Sequence, residues 1–242
     1  MSDDGYGEML LDAFEGKRAV EIVERDDGFI SASVYGPGIY LAPFRRWPAH
    51  HRRAMRFVRG RVLDLGCGGG RVCLHVQERG GEAVGIDVSP GAVEVSRRRG
   101  VRDARVMDVT ELDDSLGLFD TVVMLGNNVG LLADARTGPR LLRRLHELTT
   151  GRGRIVGESR DVAGTEDPVH RRYQEENRRR GRLPGQVRIR VRYRDSATPW
   201  FDYLMVSPAE LERLVDGTGW RLSRVLESDD TYVAVLDRIP MP

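Results

Sequence analysis

Lysine is nearly absent. The chain of 242 residues has one, Lys17, among 38 basic residues, so almost all of its positive charge is arginine. Cysteine is scarce as well: Cys67 and Cys73 are the only two, with no histidine pair nearby to complete a zinc site and no spacing of a disulfide framework, so no metal site is expected. No apolar run approaches the roughly 18 residues of a membrane span. The chain starts acidic, Ser2-Asp3-Asp4, without the basic layout of a signal peptide, so a cytoplasmic protein away from membranes is expected. A net charge of +1 removes any global attraction to nucleic acid or lipid. Internal repeats and low-complexity linkers are missing. What is left, 40% apolar and 31% charged residues, is the composition of a globular chain, here one α/β domain with a modest accessory part.

The chain is organised around Val62-Leu63-Asp64-Leu65-Gly66-Cys67-Gly68-Gly69-Gly70-Arg71. Val62, Leu63 and Leu65 read as a buried strand, the glycines at 66, 68 and 70 as a turn, and Val72, Leu74 and Val76 as the start of a helix. Glycine lets the backbone take positive φ and approach a ligand closely, and a helix N-terminus offers unpaired N–H groups. The dinucleotide fingerprint G-x-G-x-x-G/A fails, because the sixth position is Arg71 counted from Gly66 and Cys73 counted from Gly68. Asp64, two residues before the first glycine, repels a pyrophosphate but not a ligand that carries an ammonium group. The stretch resembles motif I of the class I methyltransferases that use S-adenosyl-L-methionine (SAM), and later stretches follow in that family's order. The resemblance covers residues 55–160 well and 207–238 in outline. It implies SAM as cofactor, S-adenosyl-L-homocysteine as product, and cofactor contacts from Asp64, Gly66, Cys67, Gly68 and Gly70.

Gly81 to Ser89 reads as the second strand and ends in Asp87, 21 positions after Gly66, a spacing usual in nucleotide-binding α/β units. Ser89-Pro90 fits an N-cap followed by proline at the first helical position. The third strand ends near Asp108. By the resemblance Asp87 accepts hydrogen bonds from both ribose hydroxyls, with Val88 beside it, and Asp108 meets the adenine amine while Met107 and Val109 flank the ring. Val122 to Leu125 is continuously apolar, as in a parallel strand covered on both faces. Its exit, Gly126-Asn127-Asn128, lies where open α/β sheets bind ligands. Leu125, Gly126 and Asn127 are assigned to the cofactor and Asn128 to the acceptor. This exit departs from the Asn-Pro-Pro-Tyr/Phe form of amide and adenine N-methyltransferases, which argues against a nucleobase or glutamine acceptor.

Residues 1–59 read as an N-terminal helical segment. In the resembled family such segments often fold over the cofactor, which makes Tyr35 and Tyr40 lid candidates. Residues 60–242 read as the SAM-binding domain, with an insertion at about 160–206. Within it, Val187, Ile189, Val191 and Tyr193 alternate with arginines, the pattern of a half-buried strand, and Trp200 to Val206 completes an antiparallel hairpin. Ser207 with Glu210 is a capping box. The expected fold is therefore a doubly wound, seven-stranded, mostly parallel Rossmann-like sheet with a helical N-terminal segment and an inserted antiparallel hairpin.

The activity implied is methyl transfer from SAM to an O, N or C nucleophile of a small molecule, by a monomer or homodimer. Alignment of donor and acceptor is the main catalytic need; a general base is added if the acceptor must lose a proton. His50, His51, Glu158, Asp161 and His170 are candidates for that base, with His170 and Tyr173 ranked first because they lie in the insertion. Ten arginines between Arg171 and Arg194 leave an RNA methyltransferase as an alternative, although near-neutral total charge argues against nucleic acid. A non-catalytic SAM-binding protein is another alternative. A nicotinamide oxidoreductase is disfavoured by Asp64 and Arg71.

Overall fold

The computed structural model describes residues 3–32 and 36–241. The chain opens with helix α1 (Gly5–Phe14), strands β1 (Ile22–Arg25) and β2 (Ile30–Ala32), and helices α2 (Gly38–Leu41) and α3 (Ala49–Ala54). An alternating stretch follows: β3 (Val62–Leu65), α4 (Arg71–Glu78), β4 (Ala83–Asp87), α5 (Pro90–Arg98), β5 (Ala104–Val106), β6 (Phe119–Met124), α6 (Gly138–Glu147) and β7 (Thr149–Arg160). Then come α7 (Pro168–Arg179), β8 (Gln186–Tyr193), β9 (Ser196–Ala197), β10 (Phe201–Leu204), α8 (Pro208–Val215), β11 (Trp220–Ser228) and β12 (Thr231–Arg238).

Seven strands form one sheet in the order β11-β12-β7-β6-β3-β4-β5. The β3–β4, β4–β5 and β6–β7 pairs are parallel, and β12 runs antiparallel to both β7 and β11. This is the doubly wound, mostly parallel α/β architecture expected from the sequence. Every residue of β3 is buried, which is why it reads as an unbroken apolar run apart from Asp64. A second sheet has the order β10-β8-β1-β2, with β9 paired to β8; it contains the expected hairpin.

The N-terminal segment is only partly helical. Ile22 and Val23, read as part of the helical segment, lie instead in β1, which pairs with β2 and with β8. Ile22-Val23-Glu24-Arg25 is short and β-branched, a better strand than helix once a partner exists. That partner is the alternating strand β8: Glu24 stands opposite Arg190 and takes ion pairs from Arg190 (2.8 Å) and Arg192 (3.3 Å). Tyr35, the other lid candidate, lies outside the described residues.

The chain divides into two compact units. The first comprises Met1–Pro48, Arg61–Glu111 and Arg188–Phe201; the second comprises Ala49–Gly60, Leu112–Val187 and Asp202–Pro242. In the first unit, Met9 and Leu10 of α1 are buried with Ala92 and Val95 of α5 and Tyr193 of β8. Asp4 pins this packing. Its Oδ1 accepts the Gly7 N–H and its Oδ2 accepts the Gly91 N–H (2.9 and 2.8 Å). A Cβ on Gly91 would lie 2.7 Å from Gly7 Cα, so the two helices touch backbone to backbone. Ser89 caps α5 as expected, accepting the Ala92 N–H at 3.0 Å. In the second unit, α6 buries Leu142 and Leu145, the Trp220 indole donates to Leu142 O (2.8 Å), and Ser207 with Glu210 forms the expected capping box on α8.

Candidate functional site

In the first unit, β3 leads directly into the glycine turn. Gly66, Gly68 and Gly70 have φ of 69°, 51° and 75°, a left-handed conformation that other residues rarely adopt. The Gly66 and Cys67 N–H groups both donate to Ile86 O at 2.9 Å, which ties the turn to the end of β4. The glycines serve different ends. A Cβ on Gly69 would lie 2.7 Å from Leu41 Cδ2 and 2.8 Å from Tyr40 O, so that glycine lets α2 sit against the turn. Arg99 fixes this approach by donating to Gly69 O and to Leu41 O. A Cβ on Gly68 would meet only the Tyr6 hydroxyl, at 2.8 Å. The space over Gly68 is a small cradle bounded by a phenol.

Asp87 ends β4 beside this cradle. Its Oδ2 accepts the Gly68 N–H and its Oδ1 accepts the Ser89 N–H, each at 2.9 Å. It is 8% exposed. Burial pushes its carboxyl up to about 6, against the pull of the Ser89 and Gly68 N–H groups. A carboxylate has about four acceptor positions, so Asp87 retains capacity for further donors. Asp64 lies deeper, with its Oδ2 accepting the Cys73 thiol at 3.6 Å. Burial raises its carboxyl to about 7, opposed by Arg71. Cys67 and Cys73 are both buried and free, and burial pushes both thiols well up, which makes them packing groups rather than nucleophiles.

Val88, just past Asp87, is 66% exposed, an apolar surface at a strand exit. Met107 and Val109 are half-buried, and the Met107 N–H donates to Asp87 O at 3.0 Å. Asp108 Oδ1 closes a local turn by accepting the Thr110 N–H and hydroxyl. The Tyr40 hydroxyl donates to both Glu21 oxygens (3.0 and 3.1 Å), and its ring meets Tyr6 edge-on with centroids 5.6 Å apart. Tyr6 is the residue that the sequence reading missed. Its place over Gly68 depends on how α1 docks on α5, and the local signal was Asp4 as N-cap with small Gly7 in the first turn.

In the second unit, β6 exits through Leu125, Gly126 and Asn127. Gly126 and Asn127 are left-handed, with φ of 81° and 67°. Glu158 Oε2 accepts both of their N–H groups (2.6 and 2.8 Å), and the Tyr203 hydroxyl donates to Asn127 O at 2.6 Å. The Tyr203 ring lies against Gly130, where a Cβ would come within 2.2 Å of it. Asn127 Oδ1 is buried and has no hydrogen-bond partner among the described residues. It is an acceptor waiting for a donor, as an ammonium or amine ligand would supply.

The other Glu158 oxygen, Oε1, faces helix α3. His50 Nε2 and His51 Nε2 each stand 2.8 Å from it. Burial works to raise the Glu158 carboxyl, but hydrogen bonds from the two histidines and the Asn127 N–H outweigh it and hold the group well below the usual carboxylate range. Asn128 begins the short helical turn after β6. His170 and Tyr173 sit half-buried on α7, whose buried side chains are the amides Gln174 and Asn177, both donating to backbone carbonyls. The structure thus gathers His50, His51 and Glu158 into one cluster. The sequence names these residues as base candidates but does not reveal their convergence.

The cofactor test follows from these facts. Within the first unit, the Gly68 cradle and the remaining acceptor capacity of Asp87 suit a ligand that brings hydroxyl donors and no phosphate.

Comparison with known proteins gives a consistent picture. A methyltransferase-domain family model matches residues 62–153. The putative methyltransferase YqeM of Bacillus subtilis is 29% identical over 105 residues, 42% of each chain. A ubiquinone biosynthesis O-methyltransferase of Azorhizobium caulinodans is 34% identical over 113 residues, 44% of this chain and 43% of that protein. The chain thus spans less than half the length of these curated relatives. The crystal structure of a SAM-dependent methyltransferase from Bacteroides fragilis in complex with S-adenosyl-L-homocysteine superposes with a TM-score of 0.82 at 25% identity, covering 98% of this chain and 96% of that one.

Proposed function

Because the chain belongs to the class I, Rossmann-like family of SAM-dependent methyltransferases, we propose that it transfers the methyl group of SAM to an O, N or C nucleophile of a small molecule. The observation that carries the reading is the left-handed glycine turn with Asp87 hydrogen-bonded to its Gly68 N–H. SAM supplies a methyl carbon already activated by a sulfonium. The chain's own residues hold and orient. Asp87 accepts the two ribose hydroxyls, exchanging the poverty of donors around a buried carboxylate for two new ones. Gly66, Cys67, Gly68 and Gly70 let the backbone approach, with Asp64 behind them. Val88, Met107 and Val109 offer apolar contact to the adenine, and Asp108 meets its amine. Tyr40, Leu125, Gly126 and Asn127 complete the cofactor set, the Asn127 Oδ1 taking a donor from the ammonium. On the acceptor side, Asn128 orients the nucleophile, and His170 with Tyr173 takes its proton where one must leave.

A small acceptor is favoured over RNA because much of the arginine-rich face is already neutralised. Arg190 and Arg192 pair with Glu24, Arg194 with Asp12, and Arg179 and Arg180 with Glu176. The relative from A. caulinodans is likewise named for an O-methylation in ubiquinone biosynthesis. No helix among the described residues is long and apolar enough to cross a membrane, and two free buried cysteines suit the cytoplasm. The test is calorimetric titration with SAM, S-adenosyl-L-homocysteine and NADH. Saturable binding of the first two and none of NADH is expected; binding of NADH alone overturns the reading.

A further inference from the structure

We propose that His50, His51 and Glu158 form a site for one divalent transition-metal cation of the zinc and cobalt kind. Three observations of the second unit carry it. First, one ligand atom from each side chain lies within 4.8 Å of the others, and both imidazole Nε2 atoms stand 2.8 Å from the same carboxylate oxygen. Ligands held at about 2.0–2.2 Å from a cation and 2.8 Å from each other subtend roughly a right angle at it. That is the angle between neighbouring positions of a five- or six-coordinate shell with places left open.

Second, the carboxylate is oriented before any cation arrives. Glu158 Oε2 is engaged by the N–H groups of Gly126 and Asn127, which leaves Oε1 turned toward the histidines. Hydrogen bonds that fix a ligating group strengthen its hold on a metal. Third, consecutive residues of a helix point about 100° apart, yet His50 and His51 both turn their Nε2 atoms to one oxygen, with their rings edge-to-face at 4.4 Å. One imidazole would suffice to pair the carboxylate; two in a shared geometry make a chelate. His51 and Glu158 are 2% and 5% exposed, while the His50 side chain keeps 13%, so a cation is shielded from water except along the His50 side.

The donor set decides the class of cation. Two imidazoles and one carboxylate suit Zn2+, Co2+, Ni2+ or Fe2+, whereas Mg2+ and Ca2+ favour oxygen alone. The cysteine spacing pointed to no zinc site, and this cluster does not use cysteine; it joins residues 108 apart in sequence. The proposal stands independently of methyl transfer.

The test uses the full chain, stripped with EDTA, dialysed, and titrated with Co2+ and then Zn2+ under equilibrium dialysis with metal analysis. One equivalent of Co2+ is expected, with weak visible bands from nitrogen and oxygen ligands. Zn2+ should displace it and raise Tm, and Mg2+ should do neither. His51→Ala should weaken binding at least about tenfold, and His170→Ala should leave it unchanged. His50→Gln, at the more exposed imidazole, keeps the test decisive if His51→Ala fails to fold. Absence of saturable Co2+ binding by the wild-type chain overturns the proposal and leaves a hydrogen-bonded cluster. So does binding that survives both histidine variants, or an intense sulfur-to-cobalt band that would place the metal on Cys67 or Cys73.

Discussion

Asp87 and Glu158 are two answers to one problem. Each is a buried carboxylate at or near the C-terminal end of a parallel strand, β4 or β7. Each accepts a backbone N–H from a left-handed glycine turn, Gly68 or Gly126. They nevertheless titrate in opposite directions. Burial raises Asp87 to about 6. Glu158, equally buried, is held well below its usual range because two imidazoles and the Asn127 N–H outweigh the burial. A carboxylate with donors on both oxygens stays ionised although it is buried. A carboxylate with fewer donors is costly to bury as an anion, and that cost falls when it takes a proton or when a ligand supplies further donors. Charge state, more than burial, separates the carboxylate that waits for hydroxyls from the one that anchors a loop.

The comparison breaks most completely at Gly68. Gly68→Val puts a β-branched residue at φ 51° with its Cβ 2.8 Å from the Tyr6 hydroxyl, so SAM binding should vanish in calorimetry while the circular dichroism spectrum stays native. Gly164→Val, where a Cβ meets nothing within 4 Å, is the matched control and should bind normally. Binding that survives in the first variant would reduce the turn to a structural corner. Next in size is Asp87→Ala. Loss of a charged acceptor should weaken SAM by about 1.5–3 kcal/mol. The variant also strands the Gly68 and Ser89 N–H groups, so Tm should fall, and affinity is read well below the transition, where circular dichroism shows the fold intact. If SAM affinity is unchanged in a folded variant, Asp87 serves only to tie the glycine turn to β4.

The two carboxylates also differ in how far the sequence discloses them. The glycine turn and Asp87 are legible because their signals are local: positive φ demands glycine, and a strand exit fixes the spacing to the next acid. The caps at Ser89 and Ser207 are legible for the same reason, their bonds spanning three residues. The Glu158 cluster spans 108 residues from His50, and nothing in Ala49-His50-His51-Arg52 records which way the helix will face. The strand β1 is hidden likewise. Its pairing with β8 joins Glu24 to Arg190 across 166 residues, and without that partner the segment reads as helix. The alternating arginines showed a solvent face but not that Glu24 neutralises two of them.

A pH series sharpens the contrast at smaller cost in affinity. The raised Asp87 carboxyl means that the folded chain binds a proton more tightly than the unfolded one, whose aspartates titrate near 3.9. The contribution of Asp87 to the free protein's stability therefore falls as pH rises from about 4 to about 6. Hydroxyl donors need the ionised form, so SAM affinity should fall as pH drops through about 6, by up to about tenfold per unit. Asp64, raised by burial to about 7, titrates in a neighbouring range. Calorimetry across this range should show the fall in wild type and a flatter profile in Asp87→Ala. An equal fall in both would assign the pH dependence to Asp64.

The finest test is Tyr6→Phe. The ring keeps its edge contact with Tyr40 and its burial over the glycine turn, and only the hydroxyl that borders the Gly68 cradle is lost. Burial, with the nearby Tyr40 and Asp87 adding to it, raises this phenol well above its ordinary range, so it stays neutral and able to donate. If that hydroxyl helps to supply an underpaired site, its removal should weaken SAM by about 0.5–1.5 kcal/mol, the worth of one neutral hydrogen bond, while Tm changes little. An unchanged affinity would mean that α1 closes the cradle by shape alone. The donors that Asp87 lacks would then have to come entirely from the ligand.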